Sequence, residues 1–217
     1  MKKIFASLVA ASLMLLGTQA FAQVVPGAGY LYSAESSTSG NSATDAKPLH
    51  GFYFGASYNI PIVGGLGIAP GLYANMLFRY ENTSAGTTNL GLVLQGSYRE
   101  LAVNVPVNLN YKHEFGNCAL MVFAGPTFQY GIISKTTVTG SLTLLGRSYS
   151  DGSSVNHYDS QDGTRNPFNI YLGGGVGFQV GDILFTVGYD HSLMDVDKLD
   201  NVKTGRSQVK AGISLGF

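Results

Sequence analysis

Cysteine, charge and long apolar segments are all scarce in this sequence, and each scarcity removes a class of protein. A single cysteine, Cys118, leaves no internal disulfide, so an exported chain would have to be held together by other means. Charged residues make up 12% of the chain, about half the usual ~25%. Basic and acidic residues balance at 13 each, without the basic excess that marks a nucleic-acid partner. The apolar stretch Ile4 to Leu16 falls short of the ~20 residues that cross a bilayer as a helix, and no second candidate of that length follows.

What is present fits export. Met1-Lys2-Lys3, the apolar stretch and the small-residue spacing Ala20-Phe21-Ala22 form the pattern of a secretory signal peptide. The expected domains are therefore a signal peptide over 1–22 and one domain over 23–217, within the usual size of a single domain. Glycine is abundant at 29, with 13 tyrosines and 12 phenylalanines. Few charges, much glycine and many aromatics suit a sheet whose outer face meets lipid.

Period-two alternation is the dominant pattern, and it places side chains on opposite faces of strands. At the end of the chain Val209, Ala211, Ile213, Leu215 and Phe217 share one face. Arg206, Gln208, Lys210, Gly212, Ser214 and Gly216 share the other. Similar alternation over about 183–193, 168–179, 120–132, 101–112, 66–81, 52–60 and, more weakly, 27–36 predicts eight strands in all. Tight turns are expected at 61–65, 116–117 and 181–182, and longer polar connections at 38–47, 82–95, 136–166 and 194–205. Short turns at one end and long loops at the other describe an eight-stranded antiparallel up-and-down transmembrane β-barrel. The apolar segment Leu90 to Leu94 is expected to extend its strand past a bulge near 96–99. Pro70, Pro106 and Pro126 fall inside strands, where each removes a ladder hydrogen bond.

A soluble sandwich also alternates, so the stripes must decide. No apolar stripe carries Asp, Glu, Lys or Arg, and a basic residue at the bilayer midplane costs about 2–4 kcal/mol. The polar stripes hold Glu35 and a candidate lumen network of Arg79, Glu81, Glu100, Lys112, Asp190, Arg206 and Lys210. Buried charges need partners, so mutual pairing is the expectation. Aromatics gather near both strand ends, with Tyr80, Tyr130 and Tyr189 at one and Tyr111, Phe178 and Phe217 at the other. Two such girdles mark the interfaces of a membrane barrel.

The terminus Lys210-Ala211-Gly212-Ile213-Ser214-Leu215-Gly216-Phe217 resembles the C-terminal signal of outer-membrane proteins. Together with Gly51-Phe52-Tyr53-Phe54-Gly55, Val103-Asn104-Val105-Pro106-Val107 and Gly173-Gly174-Gly175-Val176-Gly177, it makes the chain similar to the small bacterial outer-membrane β-barrel families, often labelled porin family. The resemblance implies residence in the cell outer membrane and contact with its lipid. It also implies an assembly signal at Lys210, Gly212, Leu215 and Phe217, read by the barrel assembly machinery.

For function, the family label implies a porin-like barrel, yet eight strands enclose an interior that side chains alone can fill. A narrow or plugged lumen is therefore expected, in a monomer that meets a small solute or an extracellular ligand. The alternative is a non-conducting surface protein acting through the connection 136–166, which carries Arg147, Tyr149, Asp151, His157, Tyr158, Asp159, Asp162 and Arg165. No cofactor, metal or enzymatic activity is expected. His50, His113, His157 and His191 are scattered, and Asp195, Asp197 and Asp200 lack the glycine and distal glutamate of an EF-hand loop.

Overall fold

The computed structural model describes residues 24–39, 42–45, 48–87, 90–144, 147–158, 163–198 and 203–215. The expected signal peptide and Phe217 lie outside the described residues. Among the described residues there are eleven strands: β1 (Val24–Ser39), β2 (Ser42–Asp45), β3 (Leu49–Tyr58), β4 (Ile60–Val63), β5 (Leu66–Thr87), β6 (Leu90–Phe115), β7 (Cys118–Leu144), β8 (Arg147–Asn156), β9 (Phe168–Val180), β10 (Ile183–Ser192) and β11 (Lys203–Leu215).

Eight of them form a ring in the order β1-β3-β5-β6-β7-β9-β10-β11, and β11 pairs back onto β1 from Lys203 opposite Thr38 to Ser214 opposite Gly27. The ring leaves no free edge at its seam, which is what a sheet needs to cross a bilayer. The remaining strands are appendages: β2 folds onto β1, β4 continues β3 along β5 after Asn59, and β8 pairs with β7.

The alternation places the apolar stripes outside. Phe52, Phe54, Leu72, Leu109, Leu120, Val122, Leu172, Val176, Val187 and Ile213 are all exposed, as no soluble core would permit. Tyr80, Tyr130 and Tyr189 stand outward toward the loop end, and Tyr111 and Phe178 toward the turns. Inside lie Ser33, Glu35, Asn75, Glu100, Asn104, Asn110, Thr127, Gln129 and Arg206, all buried. A closed antiparallel ring with an apolar belt and a polar interior is the architecture of a membrane-spanning β-barrel, and this chain has it.

Several boundaries differ from the expectation, each for a physical reason. The first tight turn is Gly64-Gly65 rather than 61–65, because β4 carries the ladder through Pro61 to Val63. Both glycines have positive φ, 58° and 85°, the twist that suits a two-residue hairpin. The connection over 82–95 is mostly ladder: β5 runs to Thr87, paired opposite Leu90 of β6. The 136–166 connection is likewise ladder over much of its length, since β7 continues to Leu144 and β8 returns from Arg147. These pairings build a sheet of β5, β6, β7 and β8 that rises above the belt.

The bulge also lies elsewhere. The β5–β6 register is unbroken through 96–99, from Leu66 opposite Tyr111 to Thr87 opposite Leu90. The irregularity is in β7, where Leu101 faces Ile133 but Ala102 faces Gly131, leaving Ile132 as the extra residue. Ile132 and Ile133 both point outward, and the buried positions switch from Gln129 and Gly131 before the bulge to Ser134 after it. Pro70, Pro106 and Pro126 sit within their ladders opposite Val107, Thr127 and Leu172.

Candidate functional site

The loop-end half of the lumen is filled by a charge cluster built from four separate elements. Glu35 projects inward from β1, Glu100 from β6 and Arg206 from β11, while Arg165 enters from the segment that follows β8. Their inward direction follows from strand parity, which places Ser33, Glu35, Arg206 and Gln208 on the same buried face.

Arg206 is 1% exposed and is held by both carboxylates. Its Nε donates to Glu35 Oε1 at 2.9 Å, its Nη1 to Glu100 Oε1 at 2.5 Å and its Nη2 to Glu100 Oε2 at 2.8 Å. Arg165 donates from Nη2 to the other Glu35 oxygen at 2.6 Å and from Nη1 to the Tyr98 hydroxyl at 2.7 Å. The Tyr98 hydroxyl donates to Glu100 Oε2 at 2.6 Å and lies 2.7 Å from Ser134 Oγ. Two guanidinium groups and two carboxylates thus cancel, and nearly every lone pair is met by a donor. That is the condition under which buried ions are tolerated. Leu31, Leu49, Leu77 and Tyr98, on the consecutive ring strands β1, β3, β5 and β6, form a buried apolar cluster on that side of the lumen.

The Arg165 segment is pinned by backbone as well as by charge. Arg165 N donates to His157 O at 3.1 Å, Asn166 N to Val196 O at 2.8 Å and Lys198 N to Thr164 O at 2.8 Å. Asp197 lies 3.7 Å from Arg165 Nε and accepts from Thr204 Oγ1 at 2.7 Å. His157 sits between Thr136 Oγ1 at 2.7 Å and Thr164 Oγ1 at 3.2 Å. Burial, followed by the positive charge of Arg165, holds the His157 imidazole below its ordinary range, against a smaller opposing pull from Asp197.

The candidate network expected from the sequence therefore divides. Glu100 and Arg206 meet in the cluster. Lys210 pairs instead with Asp190 at 2.5 Å, deeper toward the turn end. Arg79 pairs with Glu81 at 3.3 Å and lies over the Tyr98 ring, 5.6 Å from its centroid. Lys112 pairs with the exposed Glu114 at 2.8 Å near the turns. The network omitted Glu35, Tyr98 and Arg165, and charge arithmetic was the signal for the last. Glu35 and Glu100 against Arg206 leave one negative charge uncompensated, so a further cation was required. The sequence sets Arg165 in the connection 136–166 with His157 and Tyr158, a candidate extracellular binding surface; the structure turns its guanidinium into the lumen instead.

Of the expected assembly signal, Gly212 lies opposite Gly29 and Thr186, and Leu215 opposite Ile183 with its side chain outward. Below the plug, toward the turns, the lumen opens into a cavity of about 370 Å³. Tyr53, Tyr73, Asn75, Asn104, Phe123 and Lys210 are among the residues that line it. Among the described residues no group of three or more His, Cys, Asp or Glu side chains is arranged to hold a metal.

No family model and no curated relative matches the chain. Solved structures do. The attachment invasion locus protein of Yersinia pestis matches at 13% identity over 89% of this chain and 99% of its own, with a TM-score of 0.38. Neisserial surface protein A matches at 14% identity over 90% and 97%, with a TM-score of 0.40. The outer membrane enzyme PagL matches at 11% identity over 86% and 99%, with a TM-score of 0.32. The expectation of no enzymatic activity is corrected by this last match, because an outer-membrane enzyme stands among the similar structures and the activity class is open. The barrel assignment itself stands on the strand ring and the apolar belt.

Proposed function

We propose that the protein is a porin-family-like outer-membrane barrel that does not conduct, its plugged lumen serving as a rigid base for hairpins that engage an extracellular ligand. The observation that supports this reading is Arg165. It comes from the segment after β8, yet its guanidinium is locked to Glu35 on the first strand and to Tyr98 on β6. The same contacts that fill the pore tie the base of the β7–β8 hairpin to the barrel wall. A loop anchored in this way keeps its shape, so less ordering entropy is lost when it binds.

The projecting sheet supports the same reading. β6 and β7 pair out to Leu90 opposite Leu144, and among the described residues β8 pairs with β7 alone. Polar residues dominate β8, which runs Arg147-Ser148-Tyr149-Ser150-Asp151-Gly152-Ser153-Ser154-Val155-Asn156. A polar, hydrogen-bonding strand with a free outer edge presents backbone and side-chain groups to a partner outside the cell. The barrel works as a monomer in this reading, inserted by the assembly machinery through its last strand.

Single-channel recording of refolded protein in planar bilayers tests the proposal. Stable insertion without defined conductance steps is expected. Regular steps in the unmodified protein would overturn the plugged reading and restore that of a pore.

A further inference from the structure

The turn-side cavity has features that packing does not account for. Asn75 and Asn104 are 3% and 2% exposed, yet Asn75 Nδ2 and both polar atoms of the Asn104 amide find no hydrogen-bond partner in the protein. Both residues line the cavity. Buried amides left without partners are rare and costly, and those that face a cavity are open to bonds from a molecule that enters it. The amides nearer the turns differ, with Asn110 Nδ2 donating to Asn59 Oδ1 at 3.0 Å and Gln179 Nε2 to Gly181 O at 2.8 Å, whereas Gln129, opposite Asn104 on β7, likewise has an unpartnered Oε1.

Large side chains lean across the glycine face of one wall. Inward positions of β9 are Gly173, Gly175 and Gly177, and the Phe123 ring packs where a side chain on Gly175 would stand. Tyr53 and Tyr73 meet edge to face, 5.9 Å between centroids. The two rings stand beside the unpartnered amides, since Tyr53 lies opposite Asn75 and Tyr73 opposite Asn104 in the ladder. Charge is already spent, because Lys210 is paired with Asp190. The cavity reaches Asn59, Lys112 and Gln179 beside the turns, and none of the Arg206 cluster lines it.

We propose that this cavity is a binding site for a neutral, hydroxyl-bearing ligand of saccharide size that enters from the turn end. A hydroxyl both donates and accepts, so adjacent hydroxyls satisfy the Asn104 amide oxygen and nitrogen together. An apolar ligand would leave those amide atoms buried and unpaired, and an anion would meet two lysines already paired, Lys210 with Asp190 and Lys112 with Glu114. The Tyr53 and Tyr73 rings, beside those amides, take the C–H face of a sugar ring. A volume of about 370 Å³ is within the range of small-molecule sites.

The test is titration calorimetry on the full barrel in lipid nanodiscs, which avoids competition from sugar-headed detergents. N-acetylglucosamine, maltose and sucrose are the probes, with inorganic phosphate and cyclohexanol as the anionic and mainly apolar comparisons. Saturable binding of a saccharide, weakened about tenfold or more in Asn104→Leu and retained when Gly140 to Asp151 are deleted, is the expected result. Asn75→Leu serves if Asn104→Leu does not refold, as judged by heat-modifiable gel mobility. The proposal is overturned by saccharide binding unchanged in the variant, by binding lost with the hairpin, by preference for phosphate or cyclohexanol, or by no saturable binding. The hairpin deletion separates this site from the loop reading, since a silent barrel with an empty cavity would sink only this proposal.

Discussion

Arg206 stands directly opposite Glu35 in the pairing that closes the last strand onto the first, and its guanidinium donates to that carboxylate. The seam of the barrel is therefore marked by an ion pair as well as by backbone bonds. A slip of one residue would turn Arg206 toward lipid, where a basic side chain costs about 2–4 kcal/mol at the midplane. The pair thus reports correct closure, and it is the centre of the lumen plug.

Removing Arg206 should be expensive. Arg206→Met leaves Glu35 and Glu100 facing one remaining guanidinium, and breaking a buried pair costs about 3–5 kcal/mol. Urea unfolding in phospholipid vesicles should show a loss of this size. A loss below about 1 kcal/mol would mean that the cluster is hydrated and contributes as an exposed pair does.

Arg165 tests the anchoring of the loop rather than the wall. In Arg165→Ala the eight-stranded ring keeps its ladder, but the contacts to Glu35 and Tyr98 are lost. Heat-modifiable mobility should persist, while limited proteolysis between 157 and 166 should accelerate several-fold in intact vesicles. Unchanged protection would show that the backbone bonds to Val196 and Thr164 hold the segment alone.

Acid should release the same segment. The folded His157 value lies below the ordinary 6.5 of the free group, so the released state binds more protons between the two values. The docked state keeps its full stability above about pH 6.5 and loses it as pH falls through the depressed folded value. A protonated ring would face Arg165, with Asp197 as the compensating charge. Hydrogen exchange at 157–166 should quicken on acidification, and His157→Asn should flatten that dependence; an identical profile in the variant would assign the response to another group.

How much of this was legible in the sequence depends on what each feature obeys. The belt, the strand count and the inward charges follow from local parity, which two residues of alternation already reveal. Strand ends above the belt were not legible, because polar segments such as Thr83 to Thr87 and Arg147 to Asn156 carry no lipid stripe, yet they pair as ladder. Leu90 to Leu94 was readable as strand because it is apolar. The site was half legible: Glu100 and Arg206 sit on stripes, whereas Arg165 reaches the lumen only through the path of a connection that no periodicity describes.

The bulge in β7 makes the sharpest prediction about register. Gly131 faces inward, Ile132 and Ile133 face outward, and Ser134 faces inward again. Deleting Ile132 turns this into simple alternation and leaves every other side chain of β7 on its present face, so the variant should still insert and fold, with a small loss from the missing bend. Deleting Phe128 instead shifts parity between Gln129 and the bulge, turning Gln129 outward to lipid and Tyr130 inward against Asn104 and its neighbours. Refolding yields by gel mobility should separate the two: near-normal for the Ile132 deletion and close to none for the Phe128 deletion. Equal failure of both would mean that the bend itself is needed to bring Ser134 to Tyr98, 2.7 Å away, and that the plug and the bulge form one device.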